Sequence, residues 1–212
     1  MRTRIKFCGI TNRKDAMYAA ELGADAIGLV FYAQSPRAIS PEQAREICRL
    51  LPPFIVRVGL FVDAPVAEIQ EVIRQVPLDR VQYHGDEDPA ICAQTQLPYI
   101  KALRVSADAD LAAMMKRYAD ASAILLDTHH AQLKGGTGER FDWTRIPVQH
   151  PRPLILAGGL TPANVAAAVR AIGPYGVDVS SGVEVRPGVK DPIKMAAFAR
   201  EVFDADIHSK SS

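Results

Sequence analysis

Cys8 stands where a short apolar run meets a glycine and a helix start, in the stretch IKFCGITN over 5–12, and Lys6 precedes it by two residues. In an extended segment side chains alternate between faces, so Lys6 and Cys8 point one way and Phe7 the other. A thiol ionises near pH ~8.5 and acts as a base only as the thiolate, which a nearby cation such as Lys6 favours. A small buried hydrophobe is the competing role for the same residue. Asp127 ends a second apolar run, AILLD over 123–127, whose inward face it shares with Leu125. A carboxyl at the rim of an apolar interior has its pKa raised toward that of a general acid, while as a cap or ion-pair partner it does no chemistry. His84, closing RVQYH, reads equally as structural or catalytic.

Two turns of small residues suit an anion. Gly158-Gly159 leads toward Thr161, and Ser180, Ser181 and Gly182 follow the last apolar run. Glycine lets backbone N–H groups approach phosphate oxygens, and a helix start adds partial positive charge; plain tight turns are the alternative. KGGTG over 134–138 lies in the longest loop and is either a segment that closes over substrate or a flexible surface loop. His129-His130 resembles a metal pair, yet adjacent residues do not converge on one ion and no third ligand is spaced to join them, so no metal is expected. Cys48 falls on a helix's apolar face, and Cys92 has no evident catalytic partner.

The elements that position these groups follow from periodicity. Eight β-rich runs recur: RIKFCG, AIGLVF, IVRVGLFV, RVQYHG, YIKALRV, AILLDT, PLILAGG and GVDVSSG. Between them apolar residues recur at helical spacing, as in Ala44, Ile47, Cys48 and Leu51, or Val165, Ala168, Val169 and Ile172. Ser40-Pro41 with Gln43, Thr161-Pro162 and Asp191-Pro192 predict helix starts, and Gly173 predicts a stop. Alternating strands and helices imply an α/β fold with parallel pairing, and eight units close into a (β/α)8 barrel; a doubly wound open sheet is the alternative. The 212 residues fit one domain over 1–204, with 205–212 expected as a disordered tail. The sixth crossover, 129–147, reads as mostly loop with a short helix near Trp143. In such a barrel the active site lies at the carboxyl ends of the strands, and phosphate often binds after the seventh and eighth. Cys8, Gln82, His84 and Asp127 all fall at such ends, as do the two small-residue turns.

Composition narrows the ligand. A formal net charge of +1 with no block of like charge argues against nucleic acid or an acidic membrane, and leaves a small molecule. Three well-separated cysteines fit neither a disulfide framework nor a zinc site, which points to a reducing compartment. No signal-peptide core and no run near the ~20 apolar residues of a membrane span is seen, so a cytoplasmic protein is expected.

The motifs KFCGIT, GLVFYAQSPRAIS, VGLFVD, VQYHGDE, LLDTHHAQLKGGTGERFDW, LILAGGLTPANV and DVSSGVEVRPGVKD span nearly the whole chain. Together they resemble the phosphoribosylanthranilate isomerases of tryptophan biosynthesis. The resemblance implies an Amadori rearrangement of phosphoribosylanthranilate to carboxyphenylamino-deoxyribulose phosphate, without redox change and so without a cofactor. It assigns Asp127 as general acid and Cys8 as general base. It places Arg37 at the anthranilate carboxylate, Gln82, His84, Gly136 and Asp178 at the rest of the substrate, and Gly158, Gly159, Ser181 and Gly182 at the phosphate. Two rivals are a histidine-pathway aminoimidazole ribotide isomerase and a barrel that binds sugar phosphates without catalysis. The first leads one to expect two phosphate sites and an aspartate base, and intact Cys8 and Asp127 argue against the second. Monomer and homodimer are both open.

Overall fold

Each of the eight apolar runs forms a strand in the computed structural model, which describes residues 2–105, 109–128, 146–147 and 150–208. The strands are β1 (Arg4–Cys8), β2 (Ala26–Val30), β3 (Val56–Phe61), β4 (Arg80–Tyr83), β5 (Tyr99–Arg104), β6 (Ala123–Asp127), β7 (Leu154–Ala157) and β8 (Gly176–Val179). They pair in parallel in chain order and β8 closes on β1, with Phe7 opposite Val179, so the barrel is complete and the open sheet is excluded. Strands covered on both faces need apolar side chains on both, which explains their near-continuous hydrophobic character. Val58, Ile100, Ala102, Leu125 and Ile155 pack against one another inside. The alternate residues face the helices, as Phe7 does against Phe198 with ring centres 6.1 Å apart.

The helices are α1 (Arg13–Glu21), α2 (Pro41–Cys48), α3 (Val66–Gln75), the single turn α4 (Pro89–Cys92), α5 (Leu111–Arg117), α6 (Val165–Ile172) and α7 (Pro192–His208). Ser40 and Gln43 form a reciprocal capping box, Asp191 accepts from the amides of Ile193 and Lys194, and Gly173 ends α6 with φ 59°. Thr161-Pro162 does not start α6. The side chain of Asn164 accepts from the Thr161 amide and donates to the Gly159 carbonyl, which holds a turn after β7 and delays the helix to Val165. The barrel also continues past Asp204. α7 runs to His208 with Ala205 and Asp206 buried, and the Asp206 carboxylate accepts from the Thr3 amide and hydroxyl at 2.6 and 2.8 Å. Residues 209–212, and the expected loop and short helix within 129–145, lie outside the described residues. Among the described residues no helix is long and apolar enough to cross a membrane.

A buried ion pair sets the loop after β4. Lys101 Nζ lies 2.7 Å from Glu87 Oε2 and donates to the Gly85 carbonyl at 2.6 Å, while Glu87 accepts from the amides of Gly85 and Asp63. Burial pushes the Glu87 carboxyl up, but Lys101 and the Asp63 amide more than reverse it, so it stays below the usual carboxylate value. Its contribution to stability is therefore present above pH ~4.3 and fades as pH falls through the lower folded-state value. Lys101→Met leaves Glu87 buried and unpaired, and denaturant unfolding is expected to show a loss of about 3–5 kcal/mol. The Lys101→Met/Glu87→Gln double variant is expected to recover most of it.

Candidate active site

A cavity of about 300 Å³ opens at the carboxyl ends of the strands. Cys8, Arg37, His84, Asp127 and Asp178 line it together with Gly158, Gly159, Ser181 and Gly182. A smaller cavity of about 170 Å³ at the amino ends is lined mainly by apolar residues and by none of these groups. Of the other candidates, Gln82 does not line the cavity but is fully buried behind His84, and Gly136 lies outside the described residues.

Cys8 ends β1 opposite Gly28 and is 6% exposed. A Cβ on Gly28 would lie 2.7 Å from Cys8 Sγ and 3.1 Å from Lys6 Nζ, so only glycine leaves room for both groups. Lys6 Nζ sits 2.9 Å from Asp178 Oδ1, and both are buried. Burial pushes the Cys8 thiol up; Lys6 and Lys190 pull it down, Asp178 opposes them, and the balance remains raised. Lys6, shared between Asp178 and Cys8, lowers the thiol but does not offset its burial, so the cation two residues away does not by itself leave a thiolate. Cys48 and Cys92 are buried outside the cavity with thiols pushed up to about 11 by burial.

Asp127 ends β6, three strands round the barrel from β1. Its Oδ2 lies 3.1 Å from His84 Nε2, and His84 Nδ1 lies 3.2 Å from Gln82 Nε2. An amide NH₂ donates, so Nδ1 accepts and the ring proton sits on Nε2, directed at Asp127. Gln82 thus touches His84 rather than lining the cavity.

The phosphate-type turns meet backbone to backbone. Gly158 and Gly159 have φ of 86° and 67°, which glycine adopts readily. A Cβ on Gly182 would fall 1.9 Å from the Leu160 carbonyl oxygen, so the two turns can approach only with glycine there. Arg37, 21% exposed at its side chain, rests its stem on Gly9 and directs Nε and Nη2 at Glu184, at 2.9 and 2.6 Å. Glu184 and Lys190 were not singled out from sequence. They belong to the strands β9 (Glu184–Arg186) and β10 (Val189–Lys190), and the Pro187-Gly188 pair between them is the hairpin signal that points to both. Among the described residues no group of three or more His, Cys, Asp or Glu side chains is placed to hold a metal.

Gly28→Ala is expected to displace Cys8 Sγ or Lys6 Nζ and to reduce turnover by an order of magnitude or more, since misplacing a catalytic group by about 1 Å can cost ~10²-fold. Steady-state kinetics beside a thermal melt check this, and unchanged kcat would show that the close contact is not needed.

Comparison with known proteins places these features in a lineage. The family described as N-(5'phosphoribosyl)anthranilate (PRA) isomerase matches residues 5–201. An N-(5'-phosphoribosyl)anthranilate isomerase of Nitrosococcus oceani is 56% identical over 202 residues, covering 95% of this chain and 98% of that one. One from Stutzerimonas stutzeri is 55% identical, covering 94% and 96%. The crystal structure of phosphoribosyl anthranilate isomerase from Thermotoga maritima superposes with a TM-score of 0.86 at 42% identity, covering 95% and 99%. A phosphoribosyl anthranilate isomerase in complex with reduced 1-(o-carboxyphenylamino)-1-deoxyribulose 5-phosphate superposes with a TM-score of 0.83 at 41% identity, again covering 95% and 99%. The match runs from the first strand into the last helix at more than half identity, and the chain belongs to the N-(5'-phosphoribosyl)anthranilate isomerase family.

Proposed function

We propose that Cys8 and Asp127 divide the Amadori rearrangement of phosphoribosylanthranilate between them as base and acid. The observation that carries this reading is their placement on two non-adjacent strand ends facing one cavity, with two glycine turns beside them. The enzyme is an isomerase of tryptophan biosynthesis by its family, and the comparisons favour neither the histidine-pathway isomerase nor a silent sugar-phosphate barrel. The phosphate sits on the Gly158-Gly159 and Ser181-Gly182 turns, Arg37 takes the anthranilate carboxylate, and Asp178 faces the amine.

The chemistry follows from those positions. Asp127 gives a proton to the furanose ring oxygen, the ring C–O bond breaks, and the amine nitrogen lone pair forms the imine. The His84 Nε2–H then donates to the carboxylate left behind. Cys8 removes the proton from the adjacent ribose carbon, and the resulting enolamine tautomerises to the ketone. Hydrogen moves from one carbon to its neighbour with no net oxidation, so no cofactor is called for. The order also makes electrostatic sense, because the ring-opened imine is cationic and a positive charge near Cys8 favours its thiolate. Three free cysteines fit a reducing, cytoplasmic setting, and near-neutral net charge fits a small phosphorylated substrate without a nucleic-acid partner.

The direct test is to supply phosphoribosylanthranilate to the purified protein and follow loss of anthranilate fluorescence, beside a histidine-pathway aminoaldose control. Turnover of the first alone is expected; turnover of neither, or of the control alone, sinks the reading. Asp127→Asn is expected to lose about 10²–10⁴-fold in kcat while a reduced product analogue still binds, since the amide keeps the shape but has no proton to give. For Cys8 the sign is fixed by its raised pKa. The active form pairs a Cys8 thiolate with a protonated Asp127, so the wild-type profile carries both groups and the Cys8 limb is isolated in Asp127→Asn, whose residual kcat/KM is expected to rise with pH through neutrality and beyond pH ~8.5. A residual profile already flat at pH 6 in that variant would remove Cys8 as the base.

A further inference from the structure

We propose that Glu184, anchored by Lys190, is the positioning residue that aims Arg37 at the substrate carboxylate and couples that contact to the base strand and the phosphate turn. This rests on the reading of Arg37 given above.

A guanidinium has two edges that can each grip a carboxylate: a side edge made of Nε and one Nη, and an end made of both Nη groups. Glu184 occupies the side edge of Arg37 with both oxygens, Oε1 to Nε at 2.9 Å and Oε2 to Nη2 at 2.6 Å. The end edge, with Nη1 and the outer N–H of Nη2, is what remains for a second carboxylate, and Arg37 lines the cavity. Gly9 fixes the stem of the same side chain. Its φ is +73°, and a Cβ there would lie 2.5 Å from Arg37 Cδ.

Glu184 is itself held. Its side chain is 4% exposed, and Oε1 also accepts from Lys190 Nζ at 2.8 Å. Lys190, fully buried, spends its other two donors on the carbonyls of Cys8 at 2.6 Å and Ser180 at 3.2 Å. An ammonium has three N–H groups, so every one is used. These carbonyls lie just past Phe7 and Val179, the last register pair between β1 and β8, so Lys190 closes the seam between the base strand and the strand that leads into the phosphate turn. The charges fit the ligand as well: two cations and one buried carboxylate leave one positive charge for a single carboxylate.

A merely structural hairpin anchor would change stability or affect all substrates alike, so selectivity for the carboxylate is the discriminating readout. Kinetics are measured with phosphoribosylanthranilate and with the N-phenyl analogue that lacks the ring carboxylate, for the wild type, Arg37→Ala and Glu184→Gln. Because Glu184→Gln leaves Lys190 without its anion, Glu184→Gln/Lys190→Met is run in parallel and carries the test if the single variant does not fold. Expected for both Glu184 variants is a ~10-fold rise in the ratio of KM for phosphoribosylanthranilate to KM for the analogue, the scale of a lost charge-assisted pair; kcat for both substrates stays within about twofold in Glu184→Gln, while the double variant, which has also lost the ammonium beside Cys8, is read on the KM ratio alone. Equal effects on the two substrates, or none, beside an Arg37→Ala variant that does lose carboxylate selectivity, overturn the role of Glu184. If Arg37→Ala keeps that selectivity, the assignment of Arg37 has failed and the proposal falls with it.

Discussion

Buried among apolar side chains an ammonium stays charged only where oxygen atoms meet its N–H groups, and three lysines impose that condition around the carboxyl end of this barrel. Lys190 is met by the Cys8 and Ser180 carbonyls and Glu184, Lys6 by Asp178, and Lys101 by Glu87 and the Gly85 carbonyl. Each pairing fixes a different part of the cavity. Lys190 ties the ends of β1 and β8 and backs the Arg37 fork, Lys6 sits beneath Cys8, and Lys101 sets the loop that follows His84. Such pairs add little to net stability compared with apolar packing, but removing one partner is costly, so each locks its neighbours into one arrangement.

The same constraint sets the starting state of the chemistry. Burial pulls the Lys190 ammonium below its ordinary value even with Glu184 beside it, and the Cys8 thiol is held above its own. Lys6, which Asp178 also pairs, does not offset the burial of Cys8, so this residue starts as a thiol rather than a thiolate. In the proposed mechanism a base of that kind gains strength when positive charge forms next to it, which the ring opening assigned to Asp127 would supply. Acid and base would then be linked through the substrate, across three strands of the rim, rather than through a direct contact.

Much of the architecture was legible because period-2 and period-3.6 patterns act locally and do not depend on distant partners. The eight runs, the Ser40 and Asp191 caps and the Gly173 stop are of this kind. The start of α6 was not, because Asn164 reaches back to Gly159 and Thr161 and so competes with the proline signal at Thr161-Pro162. Ala205 and Asp206 look like tail until the Asp206 contact with Thr3, two hundred residues away in sequence, is seen. Cys8, Asp127 and the glycine turns could be read from strand ends, and Arg37 from its motif. Glu184, Lys190 and the room left by Gly28 could not, since an isolated Glu, Lys or Gly carries no mark of the partner that the barrel brings to it. Gln82 shows the opposite error: its strand-end position suggested contact with substrate, whereas the fold buries it behind His84.

If Cys8 is the base, it starts as a buried thiol whose pKa burial has raised. Brief iodoacetamide treatment across pH, with mass-spectrometric mapping of Cys8, Cys48 and Cys92 and residual activity measured on the same samples, addresses both halves at once. Labelling at Cys8 is expected to accelerate past pH ~8.5, a reduced product analogue to slow it there alone, and activity to fall in step with Cys8 occupancy. Full activity in protein completely labelled at Cys8, or labelling that is already maximal at pH 6, would remove Cys8 from that role.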